Sequence, residues 1–146
     1  MHILCLHGPN LNLLGEREPE VYGRTTLAEI NENITAEAKK LGLVVKCRQS
    51  NHEGVLVDWL QQARGQARGL IINPGAYTHT SVAIRDAVTF LDVPSIEVHI
   101  SNVYQRESFR HRSLFSDVCA ARLMGFGPMG YTLALQGLST MLAAPQ

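Results

Sequence analysis

The sequence predicts an α/β fold, a parallel sheet with helices on both faces, and three observations predict it. Apolar runs of strand length alternate with helix-period patterns along the whole 146-residue chain. The runs are continuously apolar, as in strands covered on both faces, instead of alternating apolar with polar. No internal repeat, low-complexity segment or linker interrupts the alternation, so residues 1–146 read as a single domain.

The elements follow in order. HILCLH, residues 2–7, is a buried strand, and Leu27, Ile30, Ile34, Ala38 and Leu41 then recur at helical spacing. Thr26 with Glu29 is spaced as a capping box for that helix, and Gly42 ends it. A second strand covers 43–48, and a second helix runs from about 53 to 64, with Ser50 and Glu53 spaced as its capping box. A strand at 70–73, a helix at 81–91, a strand at 95–99, a polar segment, a strand at 122–126 and a helix at about 131–142 complete the chain.

Five such strand-helix units predict a doubly wound, flavodoxin-like three-layer sandwich with a five-stranded parallel sheet in the order 2-1-3-4-5. Ligands of this architecture bind beyond the carboxyl ends of the strands, near the switch point between strands 1 and 3. The chemistry should then sit just after residues 7, 73 and 99.

Composition narrows the function classes. Formal charge is zero and no Lys/Arg block occurs, which argues against a nucleic acid or a membrane surface held by bulk charge. The apolar runs are strand-sized and the N-terminus lacks a signal-peptide pattern, so a cytoplasmic location is expected. Cys5, Cys47 and Cys119 are odd in number and set among apolar residues, as reduced, partly buried thiols are. The thirteen basic residues are ten Arg and three Lys.

Three polar loops converge on the expected rim. After strand 1 comes GPNLNLLGEREPEVYG, residues 8–23; after strand 3, NPGAYTHTS; and on strand 4 and beyond, EVHISNVYQRESFRHR. Pro9 removes a backbone donor from the first loop and Asn10 is its only early polar side chain, which disfavours a flavin phosphate. A flavin- or anionic-ligand-binding module remains the alternative reading. A phosphoacceptor site would need an Asp where Asn73 stands, and no Gly-Lys-Ser/Thr phosphate loop occurs. His7, His79 and His99 all fall at strand ends, yet no acidic residue completes a hydrolytic metal set there. Lys39, Lys40 and Lys46 lie away from the rim, so carbonyl chemistry would proceed through a hydrogen-bonded enolate without a Schiff base.

GPNLNLLGEREPEVYG, RQSNHEG, NPGAYTHTSVAIRDA and EVHISNVYQRESFRHRS together resemble, in order and spacing, the type II 3-dehydroquinate dehydratases. The resemblance covers essentially the whole chain. It implies dehydration of 3-dehydroquinate to 3-dehydroshikimate in the shikimate pathway, with no cofactor and no metal, by a single catalytic domain assembled as a homododecamer of trimers. It further implies that Tyr22 removes the proton beside the ketone, with Arg17 nearby in a lid over about residues 15–24. Asn10 would stabilise the enolate oxygen through a water. His99, oriented by Glu97, would protonate the departing hydroxyl. Asn73, His79 and Arg110 would bind substrate hydroxyls, Ser101 and the Ile100 backbone the carboxylate, and Asp86 would reach a neighbouring subunit's site.

Elementary chemistry is compatible with these roles. A phenol ordinarily loses its proton near pH 10, and a guanidinium about 4 Å away favours the phenolate by roughly 4 kcal/mol at an effective dielectric of about 20. Arg17 and Arg24 flank Tyr22 in sequence. Glu97 and His99, two apart on one strand, point to the same face and can hydrogen-bond.

Overall fold

The structure, a computed structural model, describes residues 1–144. Five strands, β1 (His2–His7), β2 (Val45–Gln49), β3 (Ala67–Asn73), β4 (Ser95–His99) and β5 (Ala121–Met124), form one parallel sheet in the order β2-β1-β3-β4-β5. That is the predicted order. The helices are α1 (Pro19–Tyr22), α2 (Leu27–Lys40), α3 (Glu53–Ala63), α4 (Val82–Leu91) and α5 (Met129–Ala143).

Strand alternation divides the core between two faces. Ile3 and Cys5 of β1, Ile71 of β3 and Val98 of β4 pack with Ile30 and Ile34 of α2 and with Tyr131 and Leu135 of α5. Leu4, Leu6, Leu70 and Ile72 face the other way, against Leu56 and Leu60 of α3 and Ile84 and Val88 of α4. Because both faces are covered, β1 and β4 are buried at every residue. The result is three layers, helix, sheet, helix.

Helix boundaries test the capping signals. At α2 the box forms: the Thr26 hydroxyl accepts the Glu29 N–H and the Glu29 carboxylate accepts the Thr26 N–H. At α3 it does not. His52 is the N-cap, the Ser50 hydroxyl accepts the His52 N–H at 3.0 Å, and the Glu53 carboxylate accepts the Ser81 hydroxyl proton. Ser81 in turn caps α4 by accepting the Ile84 N–H at 3.0 Å, so the Glu53 side chain ties two helices together. β3 begins three residues earlier than its apolar run, at Ala67, and β5 ends at Met124 because Gly125 turns the backbone to φ 85°.

Candidate active site

At the switch point between β1 and β3 the backbones of the two strand ends are in close contact. Gly8 donates its N–H to the Asn73 carbonyl at 2.8 Å, and a Cβ on Gly8 would stand 2.4 Å from the Pro74 carbonyl oxygen. Only glycine permits that approach. The next turn puts Asn10 in the left-handed region at φ 66°, with its N–H on Asn51 Oδ1 at 2.9 Å. Gln49 donates to both the Gly8 carbonyl and Asn51 Oδ1, so the RQSNHEG segment braces the floor that carries Asn10.

Asn73 at the end of β3 is fixed from behind. Its Nδ2 donates to the Tyr131 hydroxyl at 2.9 Å and its Oδ1 accepts the Gly75 N–H at 3.1 Å. With its oxygen accepting from Asn73, Tyr131 has one proton left, and it goes to His7 Nδ1 at 3.1 Å. His7 Nε2–H then donates to Asn31 Oδ1 at 2.9 Å. His7 is therefore a core residue, turned away from His79 and His99, and the three strand-end histidines do not gather into one ligand set. Among the described residues the group that could converge on a metal ion is Cys5, His7 and Cys47, behind the sheet's rim.

His79 ends a short turn, Gly75–His79, and donates Nδ1–H to the Arg112 carbonyl at 2.7 Å. Burial holds its pKa below the ordinary value, so the ring is neutral at neutral pH and Nε2 offers a lone pair to a hydroxyl.

β4 supplies the most constrained pair. Glu97 is fully buried, and its Oε1 lies 2.6 Å from His99 Nε2. Thr78 and Ser113 donate hydroxyl protons to the same carboxylate, and Arg122 Nε lies 3.3 Å from Oε2. Burial alone would push the Glu97 pKa up; the His99, Thr78 and Arg122 contacts outweigh it and hold the group below the ordinary carboxylate value. With Nε2 committed to Glu97, Nδ1 is the ring nitrogen left for a ligand.

The loop after β1 closes the arrangement from above. Glu18 adopts φ 42°, Pro19 opens α1, and Tyr22 ends it at Gly23, whose φ of 77° and ψ of −174° suit glycine alone. The Tyr22 hydroxyl accepts a hydrogen bond from Arg106 Nη1 at 2.7 Å. The Arg106 and Arg17 guanidinium carbons lie 5.3 Å and 5.7 Å from the ring centroid, while Arg17 also pairs with Glu18 at 3.3 Å. Arg24 is exposed and lines no part of the cavity.

These segments enclose a cavity of about 110 Å³. Asn10, Arg17, Tyr22, Asn73, His79, His99, Ile100, Ser101 and Arg110 all line it; Glu97 stands behind His99, and Asp86 is exposed on α4 away from the wall. Among the described residues three arginines and no carboxylate face the space, which suits an anion. Glu107 accepts from Arg110 Nε at 2.7 Å and fixes that guanidinium at the rim. Sequence reading missed Arg106 as the partner of Tyr22, because the two are 84 residues apart. It also missed Asn51, Tyr131 and Arg122; an Arg inside an apolar strand was the one available signal.

Residues 1–139 match the family model described as Dehydroquinase class II. A 3-dehydroquinate dehydratase from Dinoroseobacter shibae is 55% identical over 144 residues, covering 99% of this chain and 96% of that protein. A catabolic 3-dehydroquinase from Aspergillus oryzae is 55% identical over 134 residues, covering 92% of this chain and 88% of that protein. The crystal structure of a type II dehydroquinase from Butyrivibrio crossotus superposes with a TM-score of 0.92 at 46% identity, covering 94% of this chain and 97% of that one.

Proposed function

The chain belongs to the class II dehydroquinase family, and from that premise we infer that it dehydrates 3-dehydroquinate to 3-dehydroshikimate, a step of the shikimate pathway. Membership favours this reading over a flavin- or anionic-ligand-binding module. The observation that carries the mechanism is that Tyr22, held by Arg106, and His99, held by Glu97, face one small arginine-lined cavity.

The reaction is a trans elimination. The Tyr22 phenolate removes the proton beside the ketone, and the electron pair moves into the enolate. Arg106, with its N–H on the Tyr22 oxygen, sets a permanent cation beside the base, and Arg17 lies over the ring. Asn10 on the cavity floor steadies the enolate oxygen through a water. His99 then protonates the leaving hydroxyl, water departs, and the enolate collapses to the enone, with Glu97 keeping the ring oriented. Asn73, His79 Nε2 and Arg110 bind hydroxyls; Ser101 and the Ile100 backbone hold the carboxylate. Every step uses side chains of this chain, without a cofactor or metal. Residues 15–24 act as a lid, hinged where Gly15 and Gly23 hold positive φ angles.

The chain works as a single catalytic domain in the cytoplasm, as a homododecamer of trimers. Asp86 is exposed on α4, away from its own cavity, as a residue serving a neighbouring subunit would be, and Phe90 adds apolar surface on the same helix. No helix among the described residues is long and apolar enough to cross a membrane. A native mass twelve times the 16.1 kDa chain is expected; a monomer in solution would overturn the assembly.

The activity is tested by adding 3-dehydroquinate to purified protein. Enone absorbance should rise at a rate unaffected by borohydride or chelator. No turnover, or inactivation by borohydride with substrate present, would overturn the reading.

A further inference from the structure

We propose that Arg122 is a positioning residue for the elimination: it is the counter-ion that keeps Glu97 a carboxylate after His99 has given up its proton. The inference rests on His99 being the acid, and it concerns a residue that lines no part of the cavity.

The placement follows from the sheet. β4 and β5 are parallel neighbours in which Glu97 stands opposite Arg122 and His99 opposite Met124. Partners in register share a face, so an Arg at 122 must aim its guanidinium at Glu97. Its Nε lies 3.3 Å from Glu97 Oε2, and its side chain is 12% exposed. Nε and Nη2 are buried and make no hydrogen bond among the described residues. A buried guanidinium left short of hydrogen bonds costs stability. Its remaining use here is its charge.

A counter-charge is what the carboxylate lacks at one moment of the reaction. While His99 is an imidazolium, it and Glu97 form a neutral pair. Once the proton has gone to the leaving hydroxyl, Glu97 is a fully buried anion with hydroxyl donors from Thr78 and Ser113 and a neutral imidazole. Among the described residues no other cation is adjacent to Glu97. His79 is kept neutral by burial, Cys119 is a thiol pushed up to about 12, and Arg110 is committed to Glu107. Arg122 on β5 is the cation in contact. It stabilises the state after proton transfer and disfavours the imidazolium before it, and both effects make His99 readier to donate.

The test compares Arg122→Met, of similar length and no charge, with Arg122→Lys, which keeps the charge. In Arg122→Met the midpoint of the His99 ring's NMR titration should move to higher pH by about one unit. The alkaline limb of kcat should move the same way, and kcat should fall about tenfold with KM within about twofold. Arg122→Lys should return the midpoint and most of kcat. If Arg122→Met does not fold, Arg122→Gln carries the same expectation. A folded, uncharged variant whose ring titrates unchanged or at lower pH overturns the proposal. The NMR readout does not need turnover, so a failed dehydratase assay would leave the coupling of Arg122 to His99 separately decided.

Discussion

Arg106 Nη1 stands 2.7 Å from the hydroxyl of Tyr22, joining the loop after β4 to the loop after β1 across 84 residues of sequence. The contact closes one wall of the cavity and points a permanent cation at the Tyr22 phenol that lines it. If Tyr22 acts as a phenolate, losing that cation should damage the proton-abstraction step more than substrate binding. Arg106→Ala is expected to lower kcat about 10²-fold, comparable to removing one preorganised donor from an anionic transition state, with a smaller change in KM. Steady-state kinetics decide it; a variant losing affinity with kcat intact would show that Arg106 only binds substrate.

Tyr131 is wholly buried, and its hydroxyl links Asn73 to His7. Tyr131→Phe keeps the packing but leaves Asn73 Nδ2 and His7 Nδ1 without that partner. A loss of about 1–3 kcal/mol in urea unfolding is expected. An unchanged midpoint would mean that water replaces the hydroxyl at no cost.

Acid should destabilise the fold in two stages. The His79 pKa is lowered from 6.5 in the folded chain, so the unfolded state binds more protons as pH drops through about 6.5, and stability falls. The Glu97 pKa is lowered from 4.5, so its contribution is present above about 4.5 and is lost as pH falls through the folded value. Melting temperature should therefore decline from near pH 6.5 downward and more steeply below about 4.5. In Glu97→Gln the lower stage should shrink; a curve identical to that of the parent chain would contradict the assignment.

The three thiols should differ in reactivity. Cys47 lies opposite Cys5 on the neighbouring strand; the Cys5 thiol and His7 beside it bring Cys47 down to about 6, whereas burial pushes Cys119 up to about 12. Cys5 is fully buried and its thiol is pushed up. Mass spectrometry after brief alkylation near pH 7 should find Cys47 modified first. Labelling of Cys119 ahead of it would reverse the reading.

The sheet order and the two-faced core were legible because continuous apolar runs such as HILCLH can be buried only between two helical layers, and β1 is buried at every residue. The rim followed from topology, which brings Asn10, Asn73 and His99 to one cavity. Two kinds of information were not legible. A capping pair works only at the right offset from the first helical turn. Ser50 and Glu53 have the spacing, but α3 starts at Glu53 itself, so the carboxylate is free to reach Ser81. Long-range partners were hidden as well. Arg17 was the nearest Arg before Tyr22 in sequence, yet the guanidinium on the hydroxyl comes from Arg106, because the loop after β4 folds over the same strand ends. Arg122 begins the apolar run at 122–126, but only the pairing of β4 with β5 sets it opposite Glu97.

The central claim is that Tyr22 is the base. The most direct measurement is turnover of 3-dehydroquinate by Tyr22→Phe, with the fold checked by circular dichroism and melting temperature. The ring lies partly buried against the core and Phe fills the same space, so the fold should be retained while kcat falls by about 10³-fold or more. A folded Tyr22→Phe protein that turns over within about tenfold of the parent chain would contradict the account.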